Sequence, residues 1–229
     1  MPIALLRRFL GRRIRPLAVR LLLPLHPWLL RRDANLFGCR FRATPEVFHP
    51  GLYFSTKRLA QHLLRMKLDG MSVLDVGTGS GALRILAATR GARVLAVDIN
   101  PAAVALARAN AALNRVAERF EAVESDLFSA VPDGRRFHLI VFNPPFYPRP
   151  PRDMPDRAWN AGEDYATLRA FFRDAGRFLA QDGRIVLISS TDMDLALLSR
   201  VAQEHRLVPV RETIIPHLFE KFVIREYTS

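Results

Sequence analysis

Residues 142–146 read Phe-Asn-Pro-Pro-Phe. They close a hydrophobic run, and because proline cannot donate to a strand ladder, a buried strand must stop here. An asparagine side-chain oxygen followed by the Pro144 carbonyl offers two hydrogen-bond acceptors side by side. That pair suits a planar NH₂ group, which carries two N–H donors and a lone pair drawn into its π system. Gripping both hydrogens aims the nitrogen and favours the pyramidal geometry it needs for attack. Pro144 and Pro145 stiffen the turn, as near-attack positioning requires. Phe146 can lie over the flat group; stacking of a base on an aromatic ring is worth about 1–3 kcal/mol.

A second set of residues precedes this one. Asp75, Gly77, Thr78, Gly79 and Gly81 follow a hydrophobic run, and glycines let backbone approach a ligand closely and turn into a helix. The stretch fits the dinucleotide pattern G-x-G-x-x-[GA], which alone is a weak signal. Asp98 ends the next hydrophobic run, beside Ile99, where a carboxylate can accept both hydroxyls of a ribose. Charge-assisted hydrogen bonds of this kind are worth about 1.5–3 kcal/mol each. Asp126, followed by Leu127, ends the third run and is placed to reach an adenine amino group. The first half therefore binds an adenosine-bearing ligand. A nicotinamide-dependent oxidoreductase is one reading of it, but that class has no use for the turn at Asn143. A catalytically idle domain carrying an RNA- or ribosome-binding arm is another.

The elements that must position these residues alternate. Residues 71–76, 92–99, 119–125, 137–142 and 184–190 read as strands. Helices are expected after the glycine loop, from Asn100 and Pro101, and over 165–180. Proline is well placed in a helix's first turn. The 165–180 helix puts Leu168, Phe171, Phe172, Ala175 and Phe178 on one face and is expected to stop at Gly183. Such alternation implies a parallel sheet with helices on both faces, ligands lying beyond the strands' carboxyl ends. Residues 207–215 and 220–228 have no helix between them and should pair antiparallel at one edge. Phe37, Cys39 and Phe41 alternate as in a half-buried strand. Ser55 is expected to cap a helix carrying Leu59, Leu63 and Leu64. Residues 147–160 form a proline-rich loop, either a lid or a surface excursion.

These motifs, in this order, resemble those of the class I S-adenosylmethionine-dependent methyltransferases, within the branch carrying an Asn-Pro-Pro-aromatic turn. Residues 158–190 and 218–227 are similar to the HemK type. The resemblance implies a Rossmann-like α/β fold: a mostly parallel seven-stranded sheet with an antiparallel C-terminal edge strand. It implies S-adenosylmethionine as cofactor, held by Asp75, Gly77, Thr78, Gly79, Gly81, Asp98, Ile99, Asp126, Leu127 and Asn143. The acceptor would be placed by Asn143, Pro144, Pro145 and Phe146, without a metal. It would be a protein glutamine, as in a release factor, or an rRNA, tRNA or DNA base. Phe146 stands where HemK-type enzymes usually have tyrosine; phenylalanine also occurs in relatives acting on RNA guanine or adenine.

Composition bounds the rest. The chain has 229 residues, 49% of them hydrophobic, enough for one sizeable core. With one cysteine, Cys39, it cannot form an internal disulfide, and a reducing, cytoplasmic setting is expected. The six histidines show no metal-ligand spacing. Net charge is +12, and residues 1–45 supply +9 of it, from ten arginines and one aspartate. Residues 1–45 therefore read as a basic extension with the first strand, and 46–229 as the methyltransferase domain. Ile3, Leu6, Leu10, Ile14, Leu17 and Leu21 form a helical apolar stripe backed by arginines, either a contact to RNA, the ribosome or an anionic membrane surface, or a helix packed on the main domain with a solvated basic face. No run is apolar for the roughly 20 residues a membrane-spanning helix needs. The arginines after Arg7 and Arg8 exclude a twin-arginine signal.

Overall fold

The computed structural model describes residues 30–217 and 220–229. The apolar stripe of residues 3–21 lies outside them. The chain opens with a small hairpin, β1 (Ala34–Leu36) and β2 (Cys39–Phe41). Here the expected single strand is corrected. Phe37 and Gly38 both take positive φ, 47° and 85°, which makes a two-residue turn with the twist that hairpins favour. Phe37 is consequently exposed, while Leu36, Cys39 and Phe41 join the main core.

The body alternates as the hydrophobic runs predict. It comprises α1 (Phe54–Leu63), β3 (Ser72–Val76), α2 (Ala82–Ala88), β4 (Arg93–Asp98), α3 (Pro101–Leu113), β5 (Phe120–Glu124) and β6 (Phe137–Phe142). Then come α4 (Ala166–Ala175), β7 (Leu179–Ser190), α5 (Leu195–Glu204), β8 (Val208–Pro216) and β9 (Lys221–Thr228). The seven-stranded sheet has the order β5-β4-β3-β6-β7-β9-β8. Strands β3 to β7 are parallel, and β9 runs antiparallel to both β7 and β8, so the C-terminal pair closes one edge as expected. α1, α2 and α3 cover one face through Leu59, Ile85 and Ala107. α4 and α5 cover the other through Phe171, Phe172 and Leu198.

Local chemistry sets the helix starts. Asn100 caps α3, its side-chain oxygen accepting from the Ala102 N–H at 3.0 Å, with Pro101 in the first turn. Ser55 does not cap α1. The helix begins one residue earlier, Tyr53 is its uncapped flank, and Ser55 is buried inside. The stop at Gly183 is also corrected. α4 ends at Ala175, a tight turn spans Gly176–Phe178, and Gly183 lies within β7. A Cβ there would meet the Ala180 and Phe137 carbonyl oxygens at 2.8 and 2.9 Å, beside a register shift between β6 and β7. The glycine answers a close strand approach, and Leu168, Phe171, Phe172, Ala175 and Phe178 are all buried as predicted. Helix α5 is not among the elements expected from the sequence. Asp194 caps it, accepting from the Leu197 N–H at 2.9 Å.

One buried charge pair fixes the sheet's centre. Asp75 of β3 accepts from Arg84 of α2 at 2.8 Å, the two side chains 2% and 0% exposed. Burial pushes the Asp75 carboxyl up while the Arg84 guanidinium pulls against it. Removing one partner of a buried pair costs about 3–5 kcal/mol, because a lone charge is left behind. Asp75→Ala is therefore expected to lower unfolding free energy by about that amount in urea titrations. Adding Arg84→Met should restore most of it.

Candidate functional site

The chain order reverses between β3 and β6, and a cavity of about 550 Å³ opens there at the strands' carboxyl ends. Gly77, Thr78 and Gly79 line it from the loop after β3, Asp98 and Ile99 from the end of β4, and Asp126 and Leu127 from beyond β5. Asn143, Pro144, Pro145 and Phe146 line it from the end of β6. The nucleoside set and the acceptor set of the sequence thus share one space. Asp75 and Gly81 do not reach it. Asp75 is spent on Arg84. Gly81 has φ 80°, and a Cβ there would meet Ala107 at 3.1 Å, so it allows α3 to pack against the loop.

The loop is built for close approach. Gly77 and Gly79 have φ of 67° and 55°, which side-chain-bearing residues rarely adopt. Asp98 holds the loop in place. Its Oδ2 accepts from the Gly79 N–H at 2.8 Å, and its Oδ1 from the Asn100 N–H at 2.9 Å. The Ile99 N–H also acts on this carboxylate, which with about four acceptor positions keeps capacity for hydroxyl donors. Burial pushes the Asp98 carboxyl above the usual range, with backbone N–H donors pulling it back. Asp126 is exposed at the rim, and Leu127 takes a positive φ of 49° that turns the chain there.

At the other end, the Asn143 side-chain nitrogen lies 3.5 Å from the Ser55 hydroxyl oxygen as donor. The Asn143 amide thus faces the cavity beside Ser55 of α1. Ser55 is a site residue the sequence reading missed; its appearance at a helix start pointed to a cap instead. Pro144 and Pro145 are buried, while Phe146 is half-buried and packs against both core clusters.

The cavity's roof comes from two loops. His49 Nδ1 accepts from the Gly51 and Leu52 N–H groups at 3.0 and 3.1 Å, so its Nε2 donates to the Arg32 carbonyl at 2.8 Å. This neutral ring shapes residues 49–52, and burial lowers its pKa. Residues 147–160 are tied down rather than loose. The Tyr147 N–H donates to the Trp159 carbonyl at 2.9 Å, and the Ala161 N–H to the Tyr147 carbonyl at 2.7 Å. Trp159 packs edge-on to Tyr53 at 4.7 Å, and Tyr53 stacks on Phe48 at 4.2 Å. Within the loop, the hydrogen bond from Arg152 holds the Asp156 carboxyl at about 2.

Fold and site together define an α/β domain with a cavity at its switch point, lined at one end by Asp98 and the glycine loop and at the other by the Asn143 amide. A dinucleotide-binding Rossmann sheet continues in parallel, whereas this one ends in a reversed hairpin. The comparisons agree. The chain matches the methyltransferase small domain over residues 38–212 and belongs to that family. It is 33% identical over 165 residues to a tRNA1(Val) (adenine(37)-N6)-methyltransferase of Porphyromonas gingivalis, covering 67% of this chain and 64% of that protein. It is 47% identical over 127 residues to the release factor glutamine methyltransferase of Chlorobaculum tepidum, covering 51% of this chain and 43% of that one. The chain thus spans less than two thirds of the length of either relative. Its fold matches the Thermus thermophilus 16S rRNA N2 G1207 methyltransferase solved with AdoMet and guanosine, with a TM-score of 0.62 and 24% identity over 85% of this chain and 49% of that one. The oxidoreductase reading finds no support. The solved Thermus thermophilus structure holds AdoMet, and the residues here fit such a cofactor. Asp98 offers paired acceptors for ribose hydroxyls, Ile99 and Leu127 offer apolar walls, and the glycine turn leaves room beside them. Among the described residues no cluster could hold a metal ion, and no helix is long and apolar enough to cross a membrane.

Asp98→Asn is expected to weaken S-adenosylhomocysteine binding about ten- to a hundred-fold by calorimetry, since charge-assisted bonds become neutral ones. The ionised form of Asp98 is the one that accepts hydroxyls, and its pKa is raised. Affinity should therefore be full near neutrality and fall on acidification, starting above the ordinary aspartate value of 3.8. The amide variant has no proton to gain in this range and should show no such fall.

Proposed function

We propose that this chain transfers a methyl group from S-adenosylmethionine to the nitrogen of a planar amide or amino group on a macromolecule. One observation carries the reading. The Asn143 amide, with its nitrogen toward Ser55, lines the same cavity as Asp98 and the glycine loop. When bound, the cofactor supplies a sulfonium methyl as electrophile and departs neutral. The chain's own residues do the rest. Asn143 Oδ1 and the Pro144 carbonyl accept the two hydrogens of the attacking nitrogen and orient its lone pair. Neither Pro144 nor Pro145 can offer a competing N–H. Phe146 supports the plane of the group, and the roof of Phe48, Tyr53 and Trp159 limits water. No strong general base is required, because the nitrogen becomes acidic once methylated.

The relatives support two acceptor classes, a protein glutamine and a tRNA adenine. In this reading residues 46–229 are the catalytic unit, braced by the 34–41 hairpin, with the arginine-rich segment before it as a basic extension. The ten arginines of residues 1–45 support a contact with RNA or the ribosome, and the single cysteine supports a reducing, cytoplasmic setting. Such a contact would neutralise phosphates and weaken steeply with salt.

Asn143→Ala is expected to cost about 3–4 kcal/mol of transition-state stabilisation, or roughly 10²–10³ in kcat, by analogy with loss of an oxyanion-hole donor. S-adenosylhomocysteine binding should survive the change, falling far less than kcat; loss of both would make the turn structural. The acceptor class is read by labelling a cell extract with a radioactive methyl donor and asking whether ribonuclease or protease releases the label. Failure to label any macromolecule would end the reading.

A further inference from the structure

The acceptor end of the cavity contains a carboxylate that the mechanism above does not use. Glu220, in the turn between β8 and β9, lines the cavity together with Asn143, Phe146 and Phe222. It is held in place from two sides. The Ser190 hydroxyl donates to Glu220 Oε2, and the His217 N–H donates to the Glu220 carbonyl at 2.9 Å. Among the described residues nothing bonds to its other carboxylate oxygen, Oε1, and no cation forms an ion pair with it.

Strand register places this group near the acceptor turn. Phe142 pairs with Leu187, and Ser190 pairs with Phe222. Asn143 meets Ser55 of α1, and Ser190 follows Ile188 by two residues within β7, so both stand on the face that α1 covers. From strand spacing and rise, their Cα atoms are about 8 Å apart. Glu220 reaches in from beyond Ser190. Asn143 Oδ1 and the Glu220 carboxylate therefore offer two acceptors toward one space, walled by aromatic rings. Phe146 and Phe222 have centroids 6.4 Å apart, and His217 lies 4.1 Å from Phe54, which is 46% exposed at the mouth.

We propose that Glu220 is a specificity-determining residue that accepts a hydrogen bond from a second N–H beside the methylated nitrogen, and that the acceptor is an unpaired guanine base. The proposal rests on the methyl-transfer reading above. A carboxamide places its own carbonyl beside the nitrogen, and adenine and cytosine place an unprotonated ring nitrogen there; a carboxylate repels all three. Guanine alone among the common bases carries a ring N–H next to its amino group. Aromatic walls and an exposed ring at the mouth suit a base taken out of its stack, with a neighbour to rest on Phe54.

The test uses radioactive S-adenosylmethionine with the full chain and unstructured RNA oligomers carrying one guanosine, one adenosine or one 2-aminopurine riboside. The last keeps the 2-amino group but has no ring N–H beside it. The guanosine oligomer is expected to be labelled at least about tenfold faster than the other two, the share of one charge-assisted bond. Glu220→Ala should lower the guanosine kcat/KM about ten- to a hundred-fold with S-adenosylhomocysteine affinity unchanged. Glu220→Gln, whose amide can turn to donate, should narrow the preference over 2-aminopurine. Equal labelling of the three oligomers, labelling of a glutamine peptide instead, or a preference that Glu220→Ala leaves intact would overturn the proposal. So would a chain that binds S-adenosylhomocysteine yet labels none of the oligomers. A chain that does not bind S-adenosylhomocysteine would bring down the underlying reading as well.

Discussion

The parallel pairing of β3 with β6 is the constraint on which the site depends. The chain builds β3, β4 and β5 outward in one direction, then returns to lay β6 against the other side of β3. At that reversal the connections leave toward opposite sides, and the carboxyl ends cannot be roofed by a single crossover. The glycine turn after β3 and the proline turn after β6 thereby become neighbours across a gap. Leu74, Val76, Ile140 and Phe142 bury one face of this pair, and Val73, Leu139 and Val141 the other. The gap is thus set on a floor packed on both faces, and its width is a property of the core rather than of the loops.

Polar groups in this region bind the backbone before they bind anything else. Asp98 takes two main-chain N–H groups, Asn110 bridges the Arg42 and Ser80 carbonyls, and His49 gathers residues 49–52 around one ring. Each of these fixes a loop from inside the protein. Binding surfaces made of irregular chain lose little order on ligand binding when they are held this way, which is the physical content of preorganisation.

Much of this is legible in the sequence, for identifiable reasons. The strands of the sheet announce themselves because each is an apolar run bounded by glycine, aspartate or proline, and both turns carry residue types with few structural uses. What the sequence hides depends on distant partners. Ser55 reads as a cap because its true neighbour, Asn143, is 88 residues away. Gly183 reads as a helix end because the carbonyls that exclude a side chain there belong partly to another strand. Asp75 reads as a ligand because Arg84, on the next helix, sits within an otherwise apolar stretch. Phe37 continues an alternation on paper that a two-residue turn interrupts in the fold. In each case the period is right locally and the meaning is set by tertiary contact.

The reversed hairpin at the sheet's edge divides the labour of the molecule. The residues proposed to hold the nucleoside come mainly from the loops after β3 to β5, whereas one wall of the opposite end is a short turn between two antiparallel strands. That turn is joined to the body through β9 and through contacts such as the Ser190 hydroxyl on Glu220. Its residues can be exchanged, lengthened or recharged over evolutionary time without disturbing the donor half. A scaffold so partitioned can acquire new clients while its methyl supply stays constant.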